Sequence, residues 1–134
     1  MEIIPENRGH YLFIKVSGRL DTRGLEFGFP TLLKYLKEQR IEKLLLDCRE
    51  VYGSYPIEER LFVNESLADV YLNYSKDNVQ LKIAAVLDKS LFHPNRLGEK
   101  IAKNRGLVMI NTESIEEAYA WLEVVPPAVL PQEA

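Results

Sequence analysis

The chain holds a single cysteine, Cys48, and two well-separated histidines, His10 and His93, in 134 residues. One thiol cannot close an internal disulfide, and two isolated imidazoles give no zinc-ligand spacing, so neither a disulfide scaffold nor a metal site is expected. Long apolar runs are missing as well. The richest stretches, Leu44 to Leu46 and Ile83 to Leu87, fall far short of the roughly 18 residues that span a bilayer, so no membrane insertion is expected. The opening Met1-Glu2-Ile3-Ile4-Pro5 lacks the charged and apolar regions of a secretory leader, which together with the lone thiol favours a cytoplasmic location. Neither sign of charge dominates: 17 basic residues face 20 acidic ones, for a net charge of -3. That balance supplies no cationic field for nucleic acid. GxGxxG, GxxxxGKS or GxxxxGKT, HExxH and GxSxG motifs are all absent. Dinucleotide, P-loop, zinc-protease and hydrolase chemistries thus lose their usual anchors, and no cofactor is expected.

What is present is an ordinary globular composition, 46% hydrophobic and 28% charged, enough for one core but not for two full-sized domains. Tyr11 to Ser17 is rich in aromatic and β-branched residues and ends at Gly18, which predicts a strand. A short edge strand at Glu2 to Pro5 precedes it, with Asn7-Arg8-Gly9 as the turn. Leu44 to Leu46 and Ile83 to Leu87, ending at Asp47 and Asp88, suit parallel strands buried on both faces. Leu107 to Ile110 predicts a last strand before the polar turn Asn111-Thr112.

Helical spacing separates these strands. Phe29, Leu32, Leu33 and Leu36 form one face of a helix to Gln39, with Pro30 placed in its first turn and Arg23 to Gly28 as a looser lead-in. A second helix starts near Pro56, and a third runs from a cap at Asn95 to Asn104. A fourth is capped by Ser114, its inner face made of Ile115, Ala118, Tyr119 and Leu122. The expected fold is α/β: a mostly parallel five-stranded sheet with an antiparallel edge strand and four helices. Residues 1–124 form the domain, and the Pro-rich 125–134 is expected to be a flexible tail.

In open parallel sheets function gathers beyond the carboxyl ends of the strands. The residues expected there include Asp21, Thr22 and Arg23, then Arg49 and Glu50, and finally Asn111 and Thr112. The binding candidates proper are Tyr52, Ser54, Tyr55, Lys89, Phe92 and His93, which combine flat apolar surface with a few polar and cationic groups, as a partner loop or a small anionic amphiphile requires. Asp47 and Asp88, with His93, admit an acid–base reading, against which stands the habit of strand-end aspartates to bond backbone N–H groups. His93 with Lys89 and Arg96 admits an anion-binding reading, against which Pro94 points to a plain turn. Cys48 is read as a buried, inert thiol. Phe27 and Phe62 fall outside the apolar stripes and, with the modest net charge, suggest an interaction surface and a homodimer.

Several segments resemble the STAS-like, or SpoIIAA-like, family, related to the sulfate-transporter and anti-sigma-factor-antagonist domain. They are Ile3-Ile4-Pro5, Val16-Ser17-Gly18-Arg19-Leu20, Leu44-Leu45-Leu46-Asp47 with Val51, Ile83-Ala84-Ala85-Val86 leading to Asp88-Lys89, and Glu116-Glu117-Ala118-Tyr119-Ala120-Trp121-Leu122. The resemblance implies the same βα layout, a bacterial cytosolic setting, and a binding or regulatory module acting on a protein partner rather than an enzyme. The broader fold group also resembles lipid-transfer domains, which implies an apolar or lipid-like ligand as the alternative. The resemblance further implies a phosphorylatable serine in an Asp-Ser step. Here Tyr55-Pro56 stands at that place, and nearby Ser54 follows Gly53, not an acid. Ser54 is then a weak phosphorylation candidate.

Overall fold

The computed structural model describes residues 2–19, 22–52, 81–88 and 108–127. They form β1 (Glu2–Asn7), β2 (Leu12–Arg19), α1 (Thr22–Gln39), β3 (Lys43–Tyr52), β4 (Lys82–Leu87), β5 (Val108–Thr112) and α2 (Ile115–Leu122). Leu44, Leu45 and Leu46 are apolar at consecutive positions, and consecutive strand side chains point to opposite faces, so β3 needs cover on both sides. It receives it. Leu44 joins Leu12, Ile14, Val16 and Ile83 beneath Leu32 and Leu36 of α1. On the other face Leu45 joins Phe13, Ala84 and Val86 beneath Ala118 and Leu122 of α2.

The five strands lie in the order β1-β2-β3-β4-β5. β1 runs antiparallel to β2, with Pro5 opposite Ile14, and all other pairs are parallel. Gly9 makes the β1–β2 turn possible through its positive φ of 87°, a conformation that costs a residue without a side chain little. The Asn7 side chain accepts the Gly9 N–H at 2.8 Å and fixes that turn.

Several sequence expectations need correction. A helix beginning at Phe29 is replaced by α1 beginning at Thr22, with Pro30 inside it. An interior proline costs a helix about 3 kcal/mol, so local preference alone would start it there. The earlier turns are drawn in by packing on β1, where a Cβ at Gly28 would lie only 2.6 Å from Cδ1 of Ile3. Thr22 and Arg23 accordingly open α1 instead of lining a loop. β3 does not end at Asp47 but continues to Tyr52, because Ser17, Gly18 and Arg19 of β2 pair with Glu50, Val51 and Tyr52. Ladder hydrogen bonds there outlast the apolar run. Likewise Asn111 and Thr112 are strand residues, in register with Ala85 and Val86. α1 and α2 are two of the four expected helices; those at Pro56 and at Asn95 to Asn104 fall outside the described residues, as do Phe62 and residues 128–134.

Because Leu44 and Leu122 are fully buried on opposite faces, Leu44→Ala and Leu122→Ala should each destabilise the chain by about 2–5 kcal/mol. Urea unfolding followed by circular dichroism checks this, and a loss below ~1 kcal/mol for either would mean that its face is not core.

Candidate functional site

The outer half of β3 breaks the regular ladder. Lys15 is in register with Asp47, yet Ser17 is in register with Glu50, so β3 has one residue more than β2 between these pairs. This bulge keeps Asp47 and Glu50 on one face although they are three apart, and returns Val51 to the core beneath α1. α2 packs chiefly over β3, β4 and β5 and touches β2 at Phe13, near that strand's start. Beyond it, the same face of β1, β2 and outer β3 carries Glu2, Ile4, Lys15, Ser17, Arg19, Glu50 and Tyr52. A parallel strand pair is ordinarily covered on both sides, but here Tyr52 is 62% exposed and Ile4 48% exposed. Lys15 Nζ meets Glu50 Oε2 at 2.9 Å across this open floor.

Asp47 sits at its inner margin, buried. Arg49 grips it with two parallel bonds, Nε to Oδ1 and Nη2 to Oδ2, both 2.8 Å, and adds its backbone N–H to Oδ1 at 3.2 Å. Burial by itself would raise the Asp47 pKa, but these bonds and the charges of Arg49 and Lys15 outweigh it and hold the carboxyl below its ordinary value. An ionised carboxylate with both oxygens engaged is poorly placed to act as an acid. Asp88, exposed, lies two positions beyond Val86, the register neighbour of Asp47. Cys48 packs partly buried against the α1-side core, and desolvation, with the Asp47 charge beside it, pushes its thiol up to about 12. The thiolate form that a nucleophile needs is thereby disfavoured at neutral pH.

The start of α2 is equally occupied. Ser114 Oγ accepts the Glu117 N–H at 3.2 Å and donates to Glu116 Oε2 at 3.1 Å. Thr112 Oγ1 accepts the Ser114 N–H and donates to Glu117 Oε2 at 2.9 Å. Glu116's carboxyl is held below its ordinary value by its own backbone N–H and the Ser114 hydroxyl. With the Glu116 N–H on its own carboxylate, the Glu117 N–H on the Ser114 hydroxyl and two carboxylates in the first turn, this terminus has little to offer an anion.

On the opposite flank Arg8 ties the first turn to α2. Its guanidinium lies 3.8 Å from the centre of the Phe13 ring and donates from Nη1 to the hydroxyls of Tyr11 and Tyr119, both at 3.1 Å. Nε pairs with Glu6 at 2.9 Å. Burial would lower the Arg8 pKa, but these three hydrogen bonds raise it. Arg8 thus closes the face over Phe13 and leaves the remaining floor open.

Of the six residues predicted to bind, Tyr52 is described and stands exposed at the end of β3. Ser54, Tyr55, Lys89, Phe92 and His93 lie outside the described residues. β3 and β4 are adjacent and parallel, so the chain leaves both at the same end of the sheet. Sequence reasoning missed Ile4, Lys15 and Arg19. Their signal was the alternation Ile14-Lys15-Val16-Ser17, the period of a strand with one wet face. Among the described residues no group of three or more His, Cys, Asp or Glu is placed to hold a metal ion, and no helix is long and apolar enough to cross a membrane.

Two measurements test this account. A carboxylate whose folded pKa is depressed stabilises the fold fully above its unfolded value of about 3.9, and that contribution is lost as pH falls through the folded pKa. Asp47→Asn should therefore lose stability at pH 6 and fall less steeply than wild type as the pH drops below about 4; parallel pH curves would show that Asp47 is not coupled to folding. Cys48 should react with a thiol reagent at pH 7.5 at least about tenfold more slowly in the folded chain than in urea. Equal rates would contradict the inert-thiol assignment.

No protein-family model matches the chain, and no curated protein sequence matches it either. Solved structures do. An anti-sigma factor antagonist from Mycobacterium paratuberculosis superposes with a TM-score of 0.57 at 14% identity, covering 91% of this chain and 93% of that one. The anti-sigma factor antagonist SpoIIAA in its unphosphorylated form superposes with a TM-score of 0.55 at 9% identity, covering 93% of this chain and 100% of that one. At such low identity the likeness rests on architecture. The chain has the fold of the anti-sigma factor antagonists, the STAS-like fold to which its sequence segments pointed.

Proposed function

We propose that this chain is a small regulatory module that works by binding proteins, with a second copy of itself among its partners. The observation that carries the reading is the shared fold of two anti-sigma factor antagonists over more than nine-tenths of the chain. The site geometry supports it. Asp47 is committed to Arg49, which takes away one of the three groups, Asp47, Asp88 and His93, on which the enzyme reading rests. An apolar or lipid-like ligand gains no support from the open face, where a charged pair lies between Ile4 and Tyr52. The partner-binding edge of this proposal is the carboxyl end of β3 and β4: Tyr52 and Ser54, Tyr55, Lys89, Phe92 and His93 in the segments that follow. An exposed tyrosine at a strand end contributes little to the core and a large flat area to a contact, as binding hot spots do. A cytoplasmic setting belongs to the same proposal, and regulation by phosphate at Ser54 is its weakest part, since no acid precedes that serine.

The test is retention of a partner from extract of the source cells by the immobilised chain, compared with the Tyr52→Ala, Tyr55→Ala double variant. A specific protein should be retained by wild type and lost by at least about tenfold from the variant, with the melting temperature within a few degrees of wild type. A retained protein indifferent to both substitutions would move the site elsewhere. A small molecule carried through native mass spectrometry, with no protein retained, would overturn the reading in favour of ligand binding.

A further inference from the structure

We infer that the open face beside α2 is the surface through which two copies of this chain associate, an inference that rests on the self-binding part of the proposed function. The floor is striped by strand. β2 presents the cations Lys15 and Arg19, and neighbouring β3 presents the Glu50 carboxylate and the Tyr52 ring, with Ser17 in register with Glu50 and Arg19 in register with Tyr52. A two-fold axis running along the strands, between β2 and β3, turns open face onto open face without changing height along the strand. Each β2 residue is then laid over its own register neighbour in the second copy.

Arg19 of one copy comes over Tyr52 of the other, a cation on an aromatic face. Lys15, which spans to Glu50 in its own chain, comes over Asp47 of the second copy, with that copy's Glu50 one same-face position further along the strand and within reach of its long side chain. Each contact occurs twice. No ion pair of Arg19 occurs among the described residues, so it is available for this use. α2 stands over the inner half of the sheet on one side of this axis, so the two faces meet at their outer ends and diverge inward to make room for it. It begins after Thr112, whose register neighbours lead through Val86 to Asp47 and Lys15. Ser17, Arg19, Glu50 and Tyr52 therefore stand beyond the start of that helix.

Charge complementarity selects the occupant. A surface carrying cations on one strand and a carboxylate with an electron-rich ring on the next is its own complement under this rotation. A lipid surface or nucleic acid would leave Glu50 opposed to negative charge, and a purely apolar partner would strip water from Lys15 and Glu50 without replacing it. The patch is small beside the 20–30 residues a side of a standard interface. Association is accordingly weak and concentration-dependent.

Sedimentation at loading concentrations up to about 1 mM tests the inference. Wild type should move from monomer to dimer over that range, and Lys15→Glu and Glu50→Lys should each remain monomeric while melting near the wild-type temperature. Mixed one to one, the two variants should dimerise again. Within either variant positions 15 and 50 carry the same charge, so only contacts between chains can restore attraction. A wild type that stays monomeric throughout overturns both the interface and the self-binding reading. Single variants that dimerise like wild type, or a mixture that stays monomeric, overturn the interface alone and leave self-binding at another surface. Should either charge reversal fail to fold, Tyr52→Ala supplies the same reading through an expected weakening of about tenfold.

Discussion

β3 is the constraint on which the remaining structure depends. Three consecutive leucines on one strand cannot be satisfied by a sheet with a single dry side, so the chain must supply helices to both faces, and α1 and α2 are placed accordingly. The outer part of the same strand has the opposite requirement. From Asp47 onward it carries charge, and the bulge sorts that stretch so that Val51 rejoins the core while Glu50 and Tyr52 go to water. One strand therefore changes from two-sided burial to one-sided exposure within a few residues. That change separates the part of the molecule that holds the fold from the part that can meet a partner.

The sheet was legible where burial and period agreed. The paired leucine and Ile83-Ala84-Ala85-Val86 runs, the Ser114 cap and the inner face of α2 follow from side-chain chemistry alone, and each is found in place. Elements whose limits depend on a neighbour were misjudged. Asp47 reads as a strand end because no residue near it announces that β2 will continue alongside, and Pro30 reads as a helix start because the close approach of Gly28 to Ile3 is a contact between distant segments.

The candidate site divides the same way. Tyr52 was recognisable as an exposed aromatic following a buried run, whereas Lys15 and Arg19 became site residues only when α2 was found to cover β2 at Phe13 and not beyond it. Arg8 shows the limit most clearly. Its place in a turn predicts a solvated side chain, but folding brings Phe13, Tyr11 and Tyr119 around it, and Tyr119 is 111 residues away in the chain. An arginine can serve as the lid of an aromatic cluster because its planar guanidinium stacks on a ring while its edges donate hydrogen bonds.

Pro5 has a bearing on how such a molecule stays out of fibres. β1 is the outermost strand, and an outermost strand is a template onto which any other extended chain can add. A proline at its middle, opposite Ile14, interrupts the row of amide donors that a newcomer would need, and Glu2 and Glu6 on either side of it add like charge against a second copy arriving edge on. Growth in the plane of the sheet is thereby discouraged at this border, which favours contacts that close on themselves over contacts that propagate.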